Sequence, residues 1–358
     1  MTKSKLCYGL PYMGSKSKIV KHIVPLFPSA DNFVDLFAGG GAVTHYAMTT
    51  AKYKHFIFND INPLMPKAFE MALNGEFENE KRWISRDEFF RLRDTDPYVA
   101  ICFSFGNNLS SYMYSKEIEP IKEAYHYALF FGDYSLAKER MDIGLTPLEK
   151  CHTIKEKYAM LKNIVKNTPP QKISGNKVAV YGKTRADLES MERRARCFGI
   201  SKVWEHGNGS FYHTPPHTQH VSKVQSEESA CVISAHNANG NRKSPLSDVI
   251  EFYSTDYQAV PIPDNSVIYC DIPYKGTSAY QCHKKTEFDY ERFYDWAYSQ
   301  TQPTFISEYW MPEDRFRCIA EIKRTDTFSA NNNSKKVTER VFVPIHQQTK
   351  IPKQLKLF

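Results

Sequence analysis

The stretch NFVDLFAGGGAV (residues 32–43) runs a short apolar segment into a carboxylate, then into three consecutive glycines, then into helix-forming residues. Read for local structure, it is a buried strand, a glycine-rich turn and a helix start. A second apolar run, KHFIFNDIN (54–62), follows and ends at Asp60. Strand, glycine turn, helix, strand and acid in this order are the layout of a nucleotide-binding βαβ unit. The glycines let backbone approach a ligand closely, and an acid ending the second strand suits a pair of ribose hydroxyls.

From about residue 76 the strand–helix alternation stops, and it resumes near residue 248 with DVIEFYSTDYQAVPIPDNSVIYCDIPY. This run predicts a strand ending near Asp256, a turn at PIPDNS and a strongly apolar strand ending at Asp271. A helix at 289–300 (DYERFYDWAYSQ) and a strand at 304–310 (TFISEYW) follow, and residues 323–344 read as two strands flanking a polar loop. One α/β domain is therefore expected to be split by an insertion: 1–75 and 236–358 form the core, and 76–235 the inserted, mostly helical region. HNANGNRKSP (236–245) reads as the linker returning to the core.

The bulk composition bounds the partners. The chain has 358 residues and carries a net charge of +7. Residues 146–225 hold 14 Lys and Arg against 6 Asp and Glu, while the rest, 33 against 34, is close to neutral. A phosphate backbone is one partner that needs such a segment. A solvated helical surface is the other reading. Within it, residues 183–198 predict a helix bearing Arg185, Arg193, Arg194 and Arg196, and the FGIS turn that follows resembles a helix-turn-helix in outline. The eight cysteines show no CxxC spacing, which favours reduced thiols over a disulfide framework or zinc site. HTPPHTQH (213–220) holds three histidines, but its adjacent prolines favour a loop over a metal site. No run approaches a transmembrane helix and the N-terminus lacks an apolar signal core, so a soluble, cytoplasmic protein with no membrane partner is expected.

Asp35, Asp60, Asp256 and Asp271 all fall at or near predicted carboxyl ends of strands, where open α/β sheets bind ligands. The tetrapeptide DIPY (271–274) has its own logic. The Asp271 carboxylate and the Ile272 carbonyl offer two acceptors for one exocyclic amino group, localising a lone pair otherwise delocalised into a heterocycle. Tyr274 offers a face for stacking, and Pro273 biases residue 272 towards extended backbone. The unit fits methylation of an amino group on a flat heterocycle.

On these motifs the chain resembles the D12 class (Dam-like) N6-adenine DNA methyltransferases of the α group. PYMGSK (11–16), FVDLFAGGGAV, FNDIN, STDYQ (254–258), DIPY, FISEYWMP and TERVFV match its motifs in order, and SFGNNLSSYMYSKEIE is similar to an insertion of phage-type and related bacterial members. The resemblance implies a Rossmann-like fold dependent on S-adenosylmethionine, with target recognition in the insertion, flipping of the target base from duplex DNA, and no metal. It implies that Tyr12 and Lys16 contact the cofactor or order the site around it, that Phe37, Gly39 and Gly41 shape the methionine side of its pocket beside Asp35, that Asp60 holds the ribose and that Asp256 accepts from the adenine amino group. It further implies association with the nucleoid, a monomer or weak dimer, and a cognate restriction endonuclease as a candidate partner. Asn107, Asn108 and Lys335 join the four arginines as candidate DNA contacts; an Asn-capped turn and a loop kept soluble are the alternatives. One departure stands out: Ile272 occupies a position where the family usually has proline. Methylation of cytosine N4, of RNA adenine or of a protein glutamine, and a degenerate DNA-binding homologue, stay open on the motifs alone.

Overall fold

Phe33 and Val34 are both fully buried although they point to opposite faces of their strand, so the sheet holding them must be covered on both sides. The computed structural model describes residues 8–77, 80–140, 145–167, 249–275, 288–326 and 335–350. Among them a seven-stranded sheet forms from β1 (Asn32–Asp35), β2 (His55–Asn59), β3 (Ile250–Tyr253), β4 (Ser266–Asp271), β5 (Thr304–Glu308), β6 (Phe316–Asp326) and β7 (Lys335–Pro344), in the order β3-β2-β1-β4-β5-β7-β6. β1 to β5 run parallel, and β7 enters antiparallel between β5 and β6. This is a mixed α/β architecture, as expected. The long β6–β7 pair begins at Phe316, earlier than the sequence pattern indicated.

One face of the sheet packs Phe27 against Phe33, Tyr269 and Phe305, with ring centroids 4.5–5.9 Å apart. The other face buries Val34, Ile268, Cys270 and Ile306 against Phe293, Tyr294 and Ala297 of the helix Tyr290–Ser299. Those helix positions lie at i, i+1 and i+4, a single stripe. Each fully buried aliphatic or aromatic side chain contributes about 1.5–3 kcal/mol.

The chain divides into two compact units. The sheet unit takes residues 8–10, Gly14–Asn74 and the described residues from 249 onward; the other takes Pro11–Met13 and the described residues between Gly75 and 167. The second unit is helical, with Glu119–Phe130 at its centre. Ile121, Ala124, Tyr125, Ala128 and Leu129 form that helix's apolar stripe and pack with Leu145, Leu148, Tyr158 and Leu161. A capping box of Ser85 and Glu88 starts the helix Arg86–Leu92, and Asp96 caps Pro97–Cys102. Arg185, Arg193, Arg194, Arg196, the histidine-rich stretch and the linker 236–245 lie outside the described residues. No helix among the described residues is long and apolar enough to cross a membrane.

In the sheet unit the order reverses between β1 and β4, because the chain moves from β1 outward to β2 and β3 and later returns on the other side. Such a reversal opens a crevice at the carboxyl ends of the strands. The glycine turn fills its floor. Gly41 has φ +68°, and a Cβ placed there would lie 2.5 Å from the Phe69 ring, itself stacked on Phe58 at 4.7 Å. Its missing side chain therefore serves the seating of the helix Ala42–Met48. We expect Gly41→Ala to lower stability by about 3 kcal/mol, combining the left-handed backbone cost with overpacking. Gly132 has the same φ but meets only the Lys157 Nζ, at 3.7 Å, so Gly132→Ala should cost its own unit about 1 kcal/mol. Urea denaturation of both variants measures the difference.

Candidate active site

β1, β2 and β4 deliver carboxylates to one rim. Asp35 ends β1, is 1% exposed, and accepts a 2.7 Å hydrogen bond from the Thr44 hydroxyl through Oδ2. Its Oδ1 is buried with no hydrogen-bond partner among the described residues. Burial pushes Asp35 up to about 7, with the charges of Asp271 and Asp60 adding and the Thr44 bond opposing. A buried acceptor short of a donor beside a glycine turn suits the ammonium group of an amino-acid-bearing ligand such as S-adenosylmethionine.

Asp60 follows β2, and both its oxygens are engaged by backbone: Gly39 N–H donates at 2.8 Å and Asn62 N–H at 2.9 Å. Burial raises it to about 6 against those two bonds. The carboxylate thus fixes Gly39, at φ +49°, in place, and one further lone pair on each oxygen is left for a ligand hydroxyl. Asn59, which sequence reading passed over, stitches three strand ends together. Its amide donates to the Leu36 and Thr255 carbonyls at 2.9 and 3.2 Å and accepts from Thr255 N–H at 3.1 Å. Phe37 faces Tyr257, Phe288 and Phe293 at 5.4–5.8 Å, an aromatic wall at the mouth of β1.

Asp256 differs from the other three acids. It caps the turn at Tyr257–Ala259 and is gripped by Arg292, whose Nη1 and Nη2 donate at 3.0 and 2.9 Å; both partners are more than 40% exposed.

At the end of β4, Lys16 Nζ donates to both Asp271 oxygens, at 2.6 and 2.7 Å. Lys16 is 5% exposed and also lies 3.7 Å from Glu339 Oε1. Burial pushes Asp271 up, Lys16 pulls it back and Glu339 pushes again, leaving it at about 6. Tyr274 donates its hydroxyl to Glu339, stands edge-on to Tyr309 at 4.5 Å, and carries Lys16 Nζ 4.8 Å above its ring. The Pro273 carbonyl accepts from the Tyr290 hydroxyl at 3.0 Å. Ile272 is buried and its side chain joins the core with Phe293 and Tyr294, so the residue that replaces the usual proline packs inward.

Glu308 and Glu339 are the acids that sequence reading did not single out. Glu308 ends β5, is 1% exposed, and accepts from Lys275 N–H at 2.7 Å and from Tyr309 N–H; burial pushes it up to about 7. Glu339 is fully buried within β7. A single acid in each of the strand-like runs FISEYW and TERVFV is the trace each leaves in the sequence.

Tyr12 belongs to the helical unit, as do Asn107 and Asn108. There Met13 N–H donates to the Asn107 carbonyl at 3.3 Å. The Asn107 amide donates to the Ile101 carbonyl at 2.9 Å, and the Asn108 side chain accepts from Ser110 and Ser111 N–H, both at 2.9 Å. Both side chains are engaged in building their own turn. Lys335 opens β7 in register with Asp326 of β6. No group of three or more metal-ligating side chains occurs among the described residues.

Comparison with known proteins adds an independent line. Residues 12–132 match the family described as D12 class N6 adenine-specific DNA methyltransferase. The matched stretch carries Lys16, the glycine turn and Asp60 and ends before DIPY. A 69-residue stretch is 41% identical to modification methylase StsI of Streptococcus sanguinis, covering 19% of this chain and 10% of that protein. The family resemblance read from the motifs thus holds over residues 12–132.

Raised carboxylates have a consequence for stability. The native protein keeps the Asp35 proton up to about pH 7, whereas the unfolded chain releases it near the ordinary 3.8, so this group's contribution is lost as pH rises towards 7. Between pH 5 and 8 that loss amounts to about 3 kcal/mol. We expect Asp35→Asn to lose correspondingly less stability over this range, measured by chemical denaturation at each pH.

Proposed function

We propose that this chain is an adenine-specific DNA methyltransferase, transferring a methyl group from S-adenosylmethionine to N6 of an adenine flipped from duplex DNA. The core residues 1–75 and 236–358 carry the chemistry, and 76–235, with their basic arginines, read the target. The observation that carries the reading is Asp271, held at a strand end by Lys16 beside the Tyr274 ring. The family match over residues 12–132 and the likeness to a modification methylase support it.

In this reading Asp35, Phe37, Gly39, Asp60 and Asp256 hold the cofactor. Gly41 acts by seating the helix behind them, and Tyr12 orders the segment that leads to Lys16. The cofactor supplies an electrophilic methyl group when bound. The chain's own residues do the rest. Lys16 keeps Asp271 ionised and takes one lone pair from each oxygen, leaving others to accept from the target amino group. The Ile272 carbonyl accepts the second N–H, and two acceptors on one amino group localise its lone pair for attack. Tyr274 stacks on the base, its ring fixed through its hydroxyl by Glu339. Pro273, tied by Tyr290, sets the aim of the Ile272 carbonyl. Lys335 and the four arginines contact the phosphate backbone, and Asn107 and Asn108 act through the shape of their turn.

Labelled S-adenosylmethionine and unmethylated genomic DNA, followed by nucleoside mass spectrometry, test the reading. N6-methyladenosine is expected with the intact protein and absent with Asp271→Ala; label on cytosine N4, on RNA or on protein instead would overturn it. Because an ionised Asp271 is required, the single-turnover rate should fall as pH drops through about 6. Lys16→Ala should move that limb to higher pH, since it removes the charge that favours the carboxylate.

A further inference from the structure

The first turn of the helix Tyr290–Ser299 touches both halves of the site. At its start the Tyr290 hydroxyl donates to the Pro273 carbonyl at 3.0 Å, inside the catalytic tetrapeptide. Two residues on, Arg292 forks onto Asp256 at 3.0 and 2.9 Å and donates twice to Gln258 Oε1, at 3.1 and 2.6 Å. Its guanidinium also lies over the Tyr257 ring at 5.4 Å, and Tyr257 faces Phe37 at 5.4 Å. Positions 290 and 292 are about 200° apart around a helix, so the two side chains reach in nearly opposite directions from one rigid turn. That turn is closed by Asp289, which accepts from Arg292 N–H at 3.0 Å. Below it, Phe293 and Tyr294 are fully buried in the core, which fixes the turn to the sheet.

The chemistry of each contact differs. Asp256, just beyond an edge strand and 41% exposed, would without Arg292 keep only the Gln258 N–H on Oδ1, leaving Oδ2 unfixed. A bidentate guanidinium fixes both of its oxygens, at 3.0 and 2.9 Å. Exposed ion pairs contribute little to folding, so four donated hydrogen bonds and a ring contact on one short segment serve its shape. The Tyr290 hydroxyl in turn anchors the carbonyl that directly follows Ile272.

We infer that Arg292 and Tyr290 are positioning residues: Arg292 sets Asp256 so that the pocket selects a purine bearing an amino group, and Tyr290 sets the catalytic turn. This inference rests on the function proposed above. One helical turn then fastens the cofactor segment and the target segment to a common base, so that neither can shift without the other.

Titration calorimetry with S-adenosylhomocysteine and its deaminated inosine counterpart tests the Arg292 half. Arg292→Met should raise the Kd for the adenosine ligand about tenfold while leaving the inosine ligand within about twofold, with an unchanged melting temperature; Arg292→Lys should fall between. Equal weakening of both ligands, or none, overturns the assignment, as does weakening accompanied by a matching fall in melting temperature. Tyr290→Phe should lower the single-turnover rate about tenfold with the cofactor Kd held. A wild-type rate, or a weakened Kd, overturns the Tyr290 half. A parent protein that binds the adenosine ligand but methylates no DNA defeats the proposed function and the Tyr290 half with it, while calorimetry still decides Arg292. A parent that binds neither ligand overturns both.

Discussion

Asp35, Asp60, Asp271, Glu308 and Glu339 are all wholly or mostly removed from water at one end of the sheet unit, and Lys16 is the buried cation that meets two of them, Asp271 and Glu339. Burying a carboxylate without a counter-charge costs several kcal/mol. Lys16 is therefore as much a condition of the sheet's rim as of any chemistry there. It reaches Asp271 with both oxygens in range, lies within 3.7 Å of Glu339, and sits over the Tyr274 ring. The charge balance remains short even so, and this is why burial drives Asp35 and Glu308 to about 7. The rim is poised to take up positive charge from a ligand.

The glycine turn is rigid for a complementary reason. Asp60 holds the Gly39 N–H, Asn59 ties the ends of β1, β2 and the segment after β3, and the segment Tyr8–Leu10 closes over the top. There Gly9 N–H donates to His45 Nδ1 at 3.0 Å and Leu10 N–H to the Gly40 carbonyl at 2.6 Å. A Cβ on Gly9 would sit 2.5 Å from Ala42 N and the Gly40 carbonyl. Preorganised backbone of this kind binds a ligand without first spending energy on ordering itself.

Much of this was legible in the sequence because short apolar runs bounded by turn residues and rich in β-branched and aromatic side chains suit strands covered on both faces, and NFVDLF, HFIFN and SVIYCD became β1, β2 and β4. The acids closing those runs were legible for the same reason. Glu308 and Glu339 were not, because an acid inside a strand ordinarily marks a solvent face. Only the antiparallel entry of β7 beside β5 puts them under cover, and no local pattern encodes that pairing. Asp256 looked equivalent to Asp35, yet β3 is the sheet's edge strand and leaves it exposed. For Asn107 and Asn108 the choice between ligand contact and turn cap depended on where the amides point; both are engaged within the turn. Ile272 stood out in the sequence as the residue in place of a proline, and nothing local told that its side chain adds to the core.

The pairing of β1 with β4 joins Asn32 to Ser266, so the two central strands are made far apart in time. At a synthesis rate of roughly 5–20 residues per second, β1 and β2 emerge some ten to fifty seconds before the strand that completes their sheet. During that interval the apolar edge of β1 has no native neighbour, which is the circumstance that invites wrong partners. The candidate site is thus a late part of the molecule to exist, assembled when late strands find an early one.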